Sequence, residues 1–425
     1  MLLLVLFGSL ALLLVSGIPI AFALFISSLI YLLLIGEYPL NIVAQKFISG
    51  PDSFTLLAIP LFVAAGSLMN LTGITRRIFG VANALVGHLT GGLGHVNIVA
   101  SIIFSGMSGS AMADAAGLGL IEIKAMREAG YDDDFSVAVT ASSSIIGPII
   151  PPSVPAVIYG TVASVSVGAL FLGGIIPGLM MGLFLMVLVT FYAKRRGYPR
   201  GKRVSFRELL RVLYEGFLPL MTPVIIIGGI WTGWFTPTEA AGAACVYAIL
   251  LGLYYRELTL QTFIEVLKQN ITVSGPALFI LAAASLFNWI MAIEQIPQIA
   301  ASFLLGFTQN KYLILFIINI FLLVIGTFLP PIPAMILLIP ILDPLMTTVG
   351  VHPIHFGVVM LLNLMIGLLT PPVGPVLYVL VPITELPFEK VARSVWVFIL
   401  PLIAVLLLIT YIPQLVLAIP NMMIR

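Results

Sequence analysis

Two stretches decide the fold: Gly147-Pro148-Ile149-Ile150-Pro151-Pro152-Ser153-Val154-Pro155 and Gly367-Leu368-Leu369-Thr370-Pro371-Pro372-Val373-Gly374-Pro375. They align without a gap at an offset of 220 residues, Gly147 falling on Gly367, and the Gly and three Pro are identical. The same offset sets Gly106 on Gly326 and Ser143 on Asn363. A nearby offset, 218, sets Ala65-Gly66-Ser67-Leu68-Met69-Asn70 on Ala283-Ala284-Ser285-Leu286-Phe287-Asn288. Self-similarity at a fixed spacing marks an internal repeat, so the chain divides into halves of roughly 1–200 and 213–425.

Both halves belong in lipid. The 425 residues are 60% hydrophobic and 8% charged, with a mean hydropathy of +1.18. A water-soluble globule would be about a quarter charged. Apolar stretches long enough to span a bilayer recur to the end of the chain, as at 271–293 and 395–412. The opening Met1 to Gly36 lacks the basic start and cleavage site of a signal peptide and predicts two helices turned at Ser16-Gly17-Ile18-Pro19. A net charge of +2 points to no nucleic-acid partner, and the single cysteine, Cys245, excludes an internal disulfide or a thiolate metal cluster.

Charge sets the orientation. Lys194, Arg195, Arg196, Arg200, Lys202, Arg203, Arg207 and Arg211 make a basic linker, which the positive-inside rule places in the cytoplasm. Tracing outward from it puts Arg76, Arg77, Lys124 and Arg127 inside, and the segment 292–311, with Lys311 as its only basic residue, outside. Segment 74–93 is then cytoplasmic while its counterpart 292–311 is periplasmic, an inverted topology common in secondary transporters. Both termini fall on the periplasmic side. Two apolar runs break in the middle: Val96 to Ile123 at Ser105–Ser110, and Tyr312 to Leu345 at Gly326–Pro333. Their arms are short of the roughly 30 Å hydrocarbon core, which predicts one re-entrant hairpin per half. The expected fold is all-α and polytopic, with about ten transmembrane helices plus two hairpins.

Non-helical backbone at membrane depth is tolerated only where protein buries it or it lines a wet cavity. Four such breaks are predicted, two hairpin tips and two proline-rich interruptions. Freed carbonyls and hydroxyls suit sodium, and half-helix N-termini suit an anion. One sodium site per half follows: Ser105, Gly106, Ser108, Ser110, Ser142, Ser143 and Gly147 in the first, and Gly326, Thr327, Asn363, Gly367 and Thr370 in the second. Asp114, Ser153, Pro330 and Pro333 are candidates for substrate binding or coupling. Close helix packing by small residues is the competing reading for any one Ser or Gly, but it does not require paired prolines in both halves. Asp114 is either an intramembrane functional carboxylate or an N-cap of the second hairpin helix. Thr236-Pro237-Thr238-Glu239 has capping-box spacing. Asp132-Asp133-Asp134 is expected in a solvated loop, and His88, His95, His352 and His355 near water, with no convincing metal set among them. No phosphate-binding Gly-x4-Gly-Lys-Ser loop occurs, and no paired catalytic carboxylates support an intramembrane enzyme.

The set Ser108-Gly109-Ser110-Ala111 with Ala113-Asp114, the run Gly147 to Pro155, Phe235-Thr236-Pro237-Thr238-Glu239-Ala240 and Gly367 to Gly374 resembles the large membrane subunit of tripartite ATP-independent periplasmic (TRAP) transporters, along the full length. The resemblance implies an ion-transporter-superfamily fold working as an elevator in the bacterial inner membrane. It also implies a small four-helix membrane partner, a periplasmic substrate-binding protein that delivers an organic acid, and sodium rather than an organic cofactor. A stationary scaffold would comprise 1–73 and 213–291, and the moving domain 94–192 and 312–425. Arm helices at 74–93 and 292–311 and the linker 193–212 would connect them. Family members often carry an Asp in the second hairpin tip where this chain has Pro330, so a sulfonate or a less polar carboxylate is as plausible a substrate as a sugar acid. A stand-alone sodium/anion symporter of the same superfamily is the alternative.

Overall fold

The computed structural model describes residues 2–201 and 203–423. Among the described residues there are twenty α-helices and no strand beyond one isolated bridge between Thr90 and Arg200. In the first half these are α1 (Leu2–Val15), α2 (Ile20–Ile35), α3 (Asn41–Ser49), α4 (Ala58–Leu71), α5 (Ile74–Val86), α6 (Gly92–Ser108), α7 (Ala111–Glu128), α8 (Asp133–Ser144), α9 (Val154–Val162) and α10 (Val167–Arg196). The second half has α11 (Phe206–Trp231), α12 (Pro237–Tyr254), α13 (Leu260–Ile293), α14 (Ile296–Phe307), α15 (Lys311–Phe328), α16 (Pro331–Thr348), α17 (Pro353–Gly367), α18 (Pro375–Thr384), α19 (Phe388–Tyr411) and α20 (Gln414–Met423). Eight helices among the described residues are long and apolar enough to cross a membrane. The chain is a multi-pass membrane protein.

The repeat read from nine residues extends through most of each half. Shifted by 220, α7 falls on α16 residue for residue, and α5, α6, α8, α9 and α10 fall within a few residues of α14, α15, α17, α18 and α19. Packing follows the same symmetry. Helix α8 packs on α19 as α17 packs on α10, and α7 packs on α18 as α16 packs on α9. Each half thus supplies what the other half's broken helix needs to bury. Elsewhere, α4 lies against α12 and α13, and α2 against α13.

Local chemistry explains where helices stop. Gly17 turns α1 into α2 with φ +80°, as the Ser16–Pro19 reading expected. Thr236 and Glu239 form a complete capping box at the start of α12. The hairpins break more sharply than expected. Only Gly109 and Ser110 separate α6 from α7, and only Leu329 and Pro330 separate α15 from α16. The arms are therefore 17 and 18 residues in the first hairpin and 18 each in the second. At 1.5 Å per residue each is about 26 Å long, longer than the sequence suggested, and α15 and α16 are among the eight helices long and apolar enough to cross a membrane.

Three expectations are corrected. Asp133 and Asp134 open α8 rather than lying in a loop, and Asp132 precedes them at its cap position. Ion pairs tie them down: Arg127 to Asp133 at 2.5 Å, and Arg196 to Asp132 and Asp134 at 3.0 and 2.9 Å. His95 and His355 are buried rather than near water. Each bonds to a long neighbouring helix, Nε2 of His95 lying 3.2 Å from Thr190 Oγ1 and Nε2 of His355 lying 2.7 Å from the Ile409 carbonyl. Finally, Ser110, not Asp114, caps α7, its Oγ accepting the Ala113 N–H at 3.4 Å. Asp114 sits one turn in and is 1% exposed.

Candidate functional site

The four breaks converge. A cavity of about 500 Å³ is lined by Gly109 and Ser110 of the first tip and Pro330 to Pro333 of the second. Pro148, Val154 and Pro155 of the first interruption and Met365, Leu368 and Pro375 of the second complete that side. Opposite them stand Val63 of α4 and Thr272, Pro276 and Ile280 of α13. First-turn residues of α7, α9, α16 and α18 all reach the wall. Each half-helix N-terminus carries about half a positive charge of backbone dipole. No Lys, Arg, His, Asp or Glu lines this cavity among the described residues. Its positive potential comes from backbone, and its surface is apolar.

Behind the wall, each tip docks on its own half's interruption through glycine. Gly109 has φ +59°, and a Cβ there would lie 2.6 Å from the Pro152 carbonyl oxygen. A Cβ on Gly147 would meet the Ser144 oxygen at 3.2 Å and Ser110 backbone at 3.7 Å. In the second half a Cβ on Gly367 would lie 2.4 Å from the Gly326 oxygen, and the Val373 N–H donates to the Thr327 carbonyl at 3.3 Å. The Pro151–Pro152 and Pro371–Pro372 bonds are both cis, at matched positions.

The first predicted sodium set is brought together only in part. Gly147 and Ser110 are neighbours, while Ser105 turns away to donate to the Ile102 carbonyl at 2.6 Å. Ser143 donates to Asn97 Oδ1 at 2.6 Å, whereas the buried hydroxyls of Ser108 and Ser142 have no partner. Gly106 packs against Pro223 of α11. In the second set Gly326 and Gly367 meet directly, while the backbone of Thr327 is met by Val373. The Thr327 hydroxyl bonds within its own helix, to the Val324 carbonyl at 2.8 Å, and the Thr370 hydroxyl, in the interruption, bonds back to the Ile366 carbonyl in the last turn of α17 at 3.0 Å. Asn363 donates to Asn319 Oδ1 at 2.5 Å and leaves its own Oδ1 unpartnered. Pro330 and Pro333 face the cavity. Ser153 caps α9, accepting from Ala156 N–H at 3.1 Å and donating to the Pro148 carbonyl. Asp114 lies outside the cavity lining beside Ser101 of α6, with one oxygen unpartnered.

Sequence reasoning missed three residues here. Asn97 and Asn319, on the first arm of each hairpin, bridge to the broken helices through Ser143 and Asn363. Asn97 also donates to Thr140 Oγ1 at 2.7 Å and Asn319 to Thr410 Oγ1 at 3.0 Å. An isolated Asn inside an apolar run was the available signal, at a spacing two residues off the main offset. Glu122, two turns beyond Asp114 on α7, is buried with both oxygens unpartnered.

Comparison with known proteins identifies the family. The profile of the tripartite ATP-independent periplasmic transporter family, DctM component, matches residues 7–415. The sialic acid TRAP transporter large permease protein SiaM of Vibrio cholerae is 50% identical over 411 residues, covering 96% of each chain. The C4-dicarboxylate TRAP transporter large permease protein DctM of Rhodobacter capsulatus is 35% identical over 99% of each. The isethionate TRAP transporter permease protein DctMQ of Oleidesulfovibrio alaskensis is 41% identical over 96% of this chain, which spans 65% of that longer protein. In fold the chain is similar to the YdaH transporter of Alcanivorax borkumensis, with a TM-score of 0.63 at 13% identity over 87% of this chain and 86% of that one. With the family profile spanning nearly its whole length and relatives of up to half-identical sequence, the chain belongs to the DctM component family of tripartite ATP-independent periplasmic transporters.

Proposed function

We propose that this chain takes up a small organic anion, a carboxylate or a sulfonate, across the bacterial inner membrane by sodium-coupled secondary transport. A periplasmic binding protein delivers the anion, and a small membrane subunit accompanies the chain. The observation that carries the reading is the convergence of four half-helix N-termini on one cavity that holds no fixed charge. A substrate carboxylate or sulfonate finds dipoles and N–H groups there but no basic side chain. Sodium in each half would supply the remaining positive charge. The unpartnered oxygens of Ser108, Ser142 and Asn363 support such sites, because a hard cation takes oxygen ligands and an orphaned buried oxygen is costly.

The names of relatives, which include sialic acid, C4-dicarboxylate and isethionate transporters, fit an organic acid. The extra length of the isethionate protein fits a membrane partner that some relatives carry in one chain. The two tips divide the recognition. Ala111 and Met112 at the start of α7 have N–H groups, whereas Pro330-Pro331-Ile332-Pro333 offers one, that of Ile332. The anionic head group then lies at the first tip and the less polar body against the second. Movement is of the elevator type, with 94–192 and 312–425 sliding against 1–73 and 213–291 on the arms 74–93 and 292–311.

Proteoliposomes holding the chain, its small subunit and the binding protein test the reading. A sodium gradient should drive uptake, and Ser143→Leu or Thr370→Leu should abolish it while the protein still assembles with the small subunit. Uptake that follows a pH gradient, ignores sodium and is lost in Asp114→Asn would overturn the sodium assignment and make Asp114 the coupling group. Robust uptake by the single chain would favour a stand-alone symporter.

A further inference from the structure

Far from the central cavity, a surface pocket of about 290 Å³ opens between α8, α10 and α19. Phe135, Tyr192 and Phe398 form its floor, with the Phe398 ring centroid 5.9 Å from Phe135 and 5.7 Å from Tyr192. Lys390 and Arg393 stand at its mouth. Asp134 is the one carboxylate in the lining, and Arg196 already holds it, donating to Oδ1 at 3.0 Å and to Oδ2 at 2.9 Å. Lys390 and Arg393 make no ion pair among the described residues. Two cations are therefore left over at an aromatic pocket.

What lies beside the pocket names its occupant. On the same stretch of α19 and just beyond it, Trp396 and Leu400 are 52% and 62% exposed, and Phe191 on α10 is 60% exposed. In a membrane helix, exposed aliphatic and aromatic groups face acyl chains, and Trp favours the headgroup level. The pocket sits at the end of α10 that carries Lys194, Arg195 and Arg196, where the charge rule places the cytoplasmic leaflet. Basic groups at that depth with an apolar strip leading away match an amphiphile with an anionic head and two tails.

We propose that this pocket is a binding site for an anionic phospholipid of the cytoplasmic leaflet, its phosphate between Lys390 and Arg393 and its acyl chains along the exposed strip of α10 and α19. The site is separate from the transport cavity and stands whether or not the sodium reading does. Each cation near an anionic headgroup contributes about fivefold in affinity, so the pair contributes roughly 25-fold.

Native mass spectrometry and melting curves of the purified full chain in detergent test this, titrated with phosphatidylglycerol, with phosphatidylcholine of the same acyl chains, and with inorganic phosphate. Phosphatidylglycerol should be retained and raise the melting temperature, while the other two do little. Lys390→Gln with Arg393→Gln should weaken phosphatidylglycerol binding by roughly 25-fold, and Lys268→Gln, an exposed lysine elsewhere, should leave it unchanged. If the double variant does not fold, Lys390→Arg with Arg393→Lys keeps both charges and should keep the preference. Equal retention of the two lipids, an equal response to free phosphate, or the same loss in Lys268→Gln would each overturn the proposal.

Discussion

The two hairpins are the same structure in different surroundings. The first tip is wrapped: Ser108 and Gly109 are buried, and a Cβ on Gly66 of α4 would lie 3.0 Å from the Ser108 Cα. The second is open: Phe328 is 59% exposed, and Pro330 and Pro372 are exposed. The first turns through a left-handed glycine and starts its outgoing helix with a serine cap, whereas the second turns through Leu329 and starts on prolines. A repeat in sequence thus preserves the helices and the approach of Gly147 and Gly367 to the tip of their own half, while the other contacts of each tip are free to diverge, Gly106 packing on Pro223 where its counterpart Gly326 meets Gly367. Under the proposed function the donor-rich, enclosed tip recognises charge and the donor-poor, open tip sets which substrate body fits.

The largest difference between the halves is expected from glycine substitutions behind the tips. Gly367→Ala puts a methyl 2.4 Å from a backbone oxygen, with no flexible side chain to yield, and should cost about 3 kcal/mol. Gly147→Ala meets its neighbour at 3.2 Å and should cost about 1 kcal/mol. Melting temperatures in detergent read this directly, and equal losses would mean the two junctions are equally tight. Where the halves coincide, the response should coincide too. Asn97→Leu and Asn319→Leu each leave buried polar partners unsatisfied and should each cost about 1–3 kcal/mol. A clear loss in one and none in the other would show that only one bridge supports its hairpin.

The smallest effect is expected where α8 begins. Arg196 beside Asp134 holds that carboxyl below the usual carboxylate range, whereas α17, the repeat partner of α8, starts from His352, which has no ion pair among the described residues. A depressed carboxylate contributes stability that is present above its unfolded pKa, about 3.9, and is lost as pH falls through the folded value. Arg196→Gln should therefore lower stability by under about 1 kcal/mol at neutral pH, since the pair is partly exposed. The gap should close as the pH is taken below about 4. A gap that persists in acid would assign the effect to packing rather than charge.

Much of this architecture was legible because lipid makes backbone breaks expensive, so Gly and Pro at matched depth stand out against an apolar background. The nine residues from Gly147 and their partners from Gly367 located the interruptions, and the short arms located the hairpins. Composition could not show which hydroxyls point inward. Ser105 turns back to its own helix while Ser108 and Ser142 stay unpartnered, a choice set by helical phase and by neighbours 40 residues or more away in sequence. Asp114 was ambiguous because N-cap and first-turn positions differ by a few residues, within the error of any boundary read from sequence. His95 and His355 looked interfacial because they lie near helix starts, and only packing against α10 and α19 buries them.

Inverted symmetry is the claim on which the rest depends, and side-specific labelling tests it. Gly91 is unsuited as a reporter, because its φ is +73° and a Cβ would lie 2.4 Å from that of Ala193, so the neighbouring His88 serves. In a Cys245→Ala background, His88→Cys and Gln309→Cys place single thiols beyond the ends of α5 and α14, equivalent segments of the two halves. With a membrane-impermeant maleimide, the thiol at 88 should react only in inside-out vesicles and the thiol at 309 only in right-side-out ones. Reaction of both from the same face would contradict the inverted arrangement, and with it the pairing of one sodium site and one hairpin to each half.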